Sequence, residues 1–111
     1  MNIIEEKRND VIVVKLEGNL IGGPEAVVLN DTVNRYLDEK SLKLVFDLAN
    51  VERMNSSGLG LLIKAMTTFK TNGGELKLAN VNAKISKLLV ITRLDHVFET
   101  YDSVDSAINS F

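Results

Sequence analysis

The chain contains no cysteine, which excludes disulfide staples, thiolate chemistry and cysteine-ligated metal sites. It has a single histidine, His96 in "RLDHVF", at a helix–strand junction where histidine is most often a surface or capping residue. Positive charge is not concentrated: the net charge is −2, with no run of basic residues that would form a nucleic-acid or membrane footprint. No apolar run approaches the ~20 residues that a membrane span needs, and "MNIIEEKRND" lacks the apolar core of a signal peptide. The chain is expected to be soluble and cytoplasmic, which the absence of cysteine permits, and no metal or cofactor is expected. Internal repeats, low-complexity tracts and linkers are also missing, so residues 1–111 are expected to form one domain.

What is present suits that expectation. The chain has 111 residues, 45% of them apolar and 25% charged, enough for one compact domain with a core. "DVIVVKLEG" is rich in β-branched residues and alternates, placing Ile12, Val14 and Leu16 on a buried face and Lys15 and Glu17 on the other. Ile3 and Ile4 belong to a preceding strand, with "KRND" as the turn. After the loop "GNLIGG", Pro24 stands at a first helical position, where its missing N–H is no loss. Ala26, Leu29, Val33 and Leu37 then recur at helical spacing to residue 39. "LKLVFDL" reads as a central strand apolar on both faces, with Leu42, Leu44, Phe46 and Leu48 alternating and Asp47 near its end.

A helix follows "NSSG", with Leu59, Leu62, Ile63, Met66 and Phe69 on one stripe and Gly73 and Gly74 terminating it. "ELKLAN" is a short strand. "NAKISKLLVITRL" is a helix capped by Asn82, with Ile85, Leu88, Leu89 and Thr92 inward. "VFETY" gives a last edge strand. "SVDSAINSF" gives a terminal helix capped by Ser103, with Val104, Ala107, Ile108 and Phe111 on one face. The order ββαβαβαβα implies a mixed, mostly parallel sheet covered by about four helices, because parallel neighbours need crossover helices. Leu44, Phe46, Leu62, Met66, Leu78 and Leu88 are the expected core.

The stretch "NSSGLGLL" carries the most chemistry. A serine nucleophile needs a general base held in reach. The chain offers one distant histidine and no G-x-S-x-G, so no catalytic residue is assigned. The G-x-G lacks the further glycines and the adjacent lysine of a phosphate loop; Lys64 lies well inside the helix. A helix N-terminus, however, presents unpaired N–H groups and the positive end of the macrodipole. Ser56 or Ser57 fits there as a cap, and a phosphate on either hydroxyl would be tolerated by the same groups. Gly58 and Gly60 each cost ~1 kcal/mol of helix propensity relative to alanine, so bulk is excluded there by internal packing or by a partner.

"LVFDLANVERMNSSGLGLLIKA" resembles the signature of the STAS domain of anti-sigma factor antagonists. That signature is a strand ending in Asp-Leu, a short V-x-x-[MI] segment, then Asp-Ser-Ser/Thr-Gly-Leu-Gly and a helix. "VVKLEGNL" is similar to the family's second strand, and "TNGGELKLANVNAKISKLLVITRLDHVFETYDSVDSAI" to its C-terminal half. The resemblance implies a four-helix, mixed-sheet domain that binds an anti-sigma factor of histidine-kinase-like ATPase fold. By the same resemblance that partner phosphorylates the first serine of the motif, Ser56, with Ser57 as a secondary site. A metal-dependent serine phosphatase reverses the modification. The partner surface is expected over Asn19, Ile21, Gly22, Gly23, Asn55, Ser57, Gly58 and Gly60. Two positions depart from the pattern: Asn55 and Ile21 stand where the family usually has aspartate. A subunit or adaptor of a stress-signalling or lipid-transport assembly, without a serine switch, is the alternative that the resemblance allows.

Overall fold

The computed structural model describes residues 2–111. Its elements run β1 (Asn2–Arg8), β2 (Val11–Leu20), α1 (Pro24–Asp38), β3 (Lys43–Met54), α2 (Ser56–Thr71), β4 (Glu75–Ala79), α3 (Ala83–Ile91), β5 (Thr100–Tyr101) and α4 (Val104–Asn109). The strands form one sheet in the order β1-β2-β3-β4-β5. Only β1 and β2 are antiparallel, joined by a tight turn at Asn9–Asp10. The other three pairings are parallel, and each is bridged by one of α1, α2 and α3. The expected fold class and element order are those found.

Alternation along the central strands sorts their side chains onto two faces. Ile12, Val14, Leu16, Leu44, Phe46, Leu48, Leu76 and Leu78 form the main core with the inner sides of α1, α2 and α3. Leu44, Phe46, Leu62 and Leu78 are fully buried, whereas Met66 and Leu88 only pack against the core edge. On the second face Val11, Val13, Val45 and Ala79 meet Ala107 of α4. β2 is therefore apolar on both faces over its first half, where one buried face was expected, because the terminal helix covers the side that local alternation left open.

Several boundaries also differ from the sequence reading. Lys7 and Arg8 remain in β1, and Asn9 makes the turn with a left-handed φ of 59°. β2 continues through Gly18 and Asn19 to Leu20, so the loop is only Ile21–Gly23. Register shifts flank Glu17 and Gly18, with the extra residues on β3, so that Val51 rather than Asn50 rejoins the core face of Leu44, Phe46 and Leu48. Leu20 stays on the face of Leu16 by plain alternation and is fully buried. β3 starts after the exposed Leu42 and extends to Met54. Asp47 thus lies within the strand; its Oδ1 accepts hydrogen bonds from Asn80 Nδ2 at 2.9 Å and from the Ala49 N–H at 3.0 Å. α3 stops at Ile91 because Arg93 turns left-handed at a φ of 61°. The last strand is reduced to Thr100–Tyr101.

Candidate functional site

The site is assembled where β2 ends, α1 begins and α2 starts. Asn55 has extended backbone angles, and its side-chain oxygen accepts the Gly58 N–H at 2.9 Å. Asparagine is among the best residues for this position. The cap expected of Ser56 or Ser57 is thus supplied by Asn55. Both serines are instead the first two helical residues, and both are exposed. Neither hydroxyl is spent on capping, and the N–H groups of the first turn face the same side as the positive end of the helix dipole.

The β2–α1 loop lies against these serines. A Cβ added at Gly22 would stand 3.3 Å from the Ser57 Cβ, and Gly22 itself has a φ of +98° that side chains rarely adopt. Ile21 is 45% exposed, and Asn19 and Gly23 are exposed as well. In the parallel register Asn19 faces Arg53 of β3. The structure thus brings Gly22 against Ser57 and Ile21 into one cleft with Asn55 at the start of α2, while Asn19 pairs with Arg53 and Gly23 opens α1.

The two glycines of the motif separate. Gly58 is buried, and a Cβ on it would fall 1.7 Å from the Leu20 carbonyl oxygen. Its smallness lets α2 cross the end of β2 in direct backbone contact, so Gly58, expected on the partner surface, is taken up by internal packing. Gly60 is exposed with nothing within 4 Å of an added Cβ. Of the two, Gly60 is the one that presents open backbone to solvent.

Within α2 itself, charge near the serines is sparse. α2 contains no acidic residue, and its lysines, Lys64 and Lys70, lie beyond the first turn. His96 is 95% exposed in its side chain, beside Asp95, and borders Met66 and Lys70 near the far end of α2. Ten residues of helix place that end about 15 Å from Ser56, so imidazole does not serve the serine as a base. Among the described residues no group of three or more histidines and carboxylates could hold a metal ion, and no helix is long and apolar enough to cross a membrane. Sequence reasoning missed Arg53, Met54 and Lys84, which line a cleft together with Ile21 and Asn55. The only local signal was the V-x-x-M segment after the central strand, which continues β3.

Comparisons with known proteins bear on the family and the fold. The family model described as the STAS domain matches residues 2–107. A candidate anti-sigma factor antagonist of Thermotoga maritima is 27% identical over 75 residues, 68% of this chain and 66%, just under two thirds, of that relative's length. The anti-sigma F factor antagonist of Paenibacillus polymyxa is 27% identical over 97% of this chain and 92% of its own. A crystal structure of a candidate anti-sigma factor antagonist from Thermotoga maritima superposes with a TM-score of 0.88 at 21% identity, covering 97% of this chain and 92% of that one. The Bacillus cell fate determinant SpoIIAA, solved in its phosphorylated form, superposes with a TM-score of 0.75 at 17% identity over 98% of both chains.

Proposed function

Because the chain belongs to the STAS domain family, we propose that it is an anti-sigma factor antagonist, a single cytoplasmic STAS domain over residues 1–111 whose binding is switched by phosphorylation of Ser56. The observation that carries this reading is the exposed position of Ser56 at the first turn of α2, with the cap already supplied by Asn55. A hydroxyl so placed can be modified without loss of the cap. Its phosphate, with roughly −2 charge, would meet free N–H groups and a favourable dipole. That interaction is worth about 0.3–1 kcal/mol at an exposed site, which accommodates the phosphate without reorganising a domain of ~5–15 kcal/mol stability. The relatives named as anti-sigma factor antagonists support the role, and the solved phosphorylated form of SpoIIAA supports a switch by phosphate.

In this reading the partner is an anti-sigma factor with a histidine-kinase-like ATPase fold, and a serine phosphatase restores the binding form. The partner rests on Asn19, Ile21, Gly22, Gly23, Asn55, Ser57 and Gly60, while Gly58 sets the height of α2 from within. The switch is electrostatic and steric: a dianion introduced into a closed interface without a counter-charge costs several kcal/mol. Ser56→Asp should therefore keep the fold and weaken partner binding by about a hundredfold, or ~2.7 kcal/mol. Ser56→Ala should bind and resist modification. Incubation with such an anti-sigma kinase and ATP, followed by site mapping, decides the matter: phosphate on Ser56 supports the switch, and its absence or confinement to Ser57 overturns it. The neutral Asn55 and Ile21 flanking the serine favour a second reading, an adaptor that binds irrespective of phosphate, and equal partner affinity of Ser56→Asp and wild type would support it.

A further inference from the structure

The end of β3 and the starts of α2 and α3 enclose a cleft of about 310 Å³, at the lower end of the size range of small-molecule sites. Its apolar wall is made by Ile21, Val51, Met54, Ile85 and Leu88. The polar lining is Arg53, Lys84, Asn55, Asn82 and one acid, Glu52. Arg53 and Lys84 are exposed, and among the described residues neither forms a salt bridge.

The two asparagines sharpen the chemistry. Asn55 Oδ1 accepts the Gly58 N–H and Asn82 Oδ1 accepts the Ile85 N–H, each at 2.9 Å. With the oxygens committed, each side chain has its NH₂ group left to offer a ligand. The cleft therefore presents one guanidinium, one ammonium and two amide donors against a single carboxylate, beside an apolar wall. Cations and amide donors prefer a carboxylate head, and guanidinium binds one with two parallel hydrogen bonds. The apolar wall prefers a hydrocarbon body. Neither α2 nor α3 contains an acidic residue that would oppose an anion.

We propose that this cleft binds an amphipathic small acid, an apolar chain or ring bearing one carboxylate. Such a ligand would lie against Ile21 and Asn55, next to the phosphoacceptor proposed above. The inference stands apart from that reading, because it rests on the cleft alone and its test involves neither kinase nor partner.

The test is a titration of the isotope-labelled full chain with sodium octanoate, followed by amide chemical shifts. Saturable shifts should be confined to the residues around 21, 51–55 and 82–88. Octylammonium, with the same tail and the opposite charge, should not produce them. The double variant Arg53→Glu, Lys84→Glu should weaken octanoate binding about tenfold or more, since charge-assisted hydrogen bonds are lost. Both positions are exposed, so its melting should stay close to that of the wild type. Leu88→Trp, which fills the cleft, should abolish the shifts without reversing any charge. Shifts spread over the whole chain, an equal response to octylammonium, or binding untouched by both variants would overturn the proposal.

Discussion

Gly58 and Gly60 are two positions apart in one helix, yet their environments are opposite. A methyl group on Gly58 would enter the Leu20 carbonyl oxygen, which is backbone and cannot move aside. Gly58→Ala should therefore destabilise by about 3 kcal/mol, the upper part of the range for overpacking. Gly60→Ala meets nothing, and should stabilise by up to ~1 kcal/mol through helix propensity. Chemical denaturation of the two variants checks both signs at once. Tyr36 makes a second prediction at this scale. Burial, together with its hydrogen bond to Glu5 and the Glu5 charge, pushes its phenol up to about 12. An unfolded tyrosine ionises near pH 10, so the unfolded chain loses a proton there that the folded chain keeps. The stability linked to Tyr36 is complete below about pH 10 and is lost as the pH rises towards 12. Stability measured across that window should fall more steeply for wild type than for Tyr36→Phe.

Among the elements, α4 depends most on a single side chain beneath it. Lys77 points to the second face of β4 and is 3% exposed. Its ammonium donates to the Ser110 carbonyl at 3.0 Å and to the Ser110 hydroxyl at 2.7 Å, and lies 4.4 Å from the centre of the Phe111 ring. Glu99 approaches it at 3.5 Å. A buried ammonium is tolerable only when its protons are so used. A second tie holds α4 from β1, where Arg8 donates to Asp105 at 2.5 Å on the exposed surface, a pair worth little by itself. Lys77→Met keeps the length of the side chain and removes its hydrogen bonds to Ser110. It should cost about 1–3 kcal/mol and raise amide exchange in α4 well above that of α1 or α2. Uniform protection across all helices in that variant would contradict the latch.

For the whole molecule, stability resides in the layer between the sheet and helices α1, α2 and α3. Phe46 sits at its centre on the middle strand, fully buried. Phe46→Ala should remove ~3–5 kcal/mol, a large share of the ~5–15 kcal/mol typical of a domain. A thermal melt with an unchanged midpoint would show that the core lies elsewhere. The proposed site occupies the end of this layer where the parallel strands β2 and β3 finish. The core thereby fixes the site's geometry while leaving its side chains in solvent.

By itself the sequence determined the number, order and type of the elements, because strand and helix periodicities are local and each segment carried its own. It also placed Ser56 at the beginning of a helix, since Asn55, the serines and the glycines form a local start signal. Contacts between distant segments were decided only by the tertiary structure. Spacing could not tell that Gly58 meets Leu20 while Gly60 meets nothing, because the approach of α2 to β2 depends on the sheet register. The same holds for the second face of β2, whose Val11 and Val13 look half-exposed until α4 returns to cover them. Arg53 and Lys84 stand on separate elements with no shared local pattern. Only the parallel pairing of β3 with β4, which carries the start of α3 to the end of β3, sets them around one cleft.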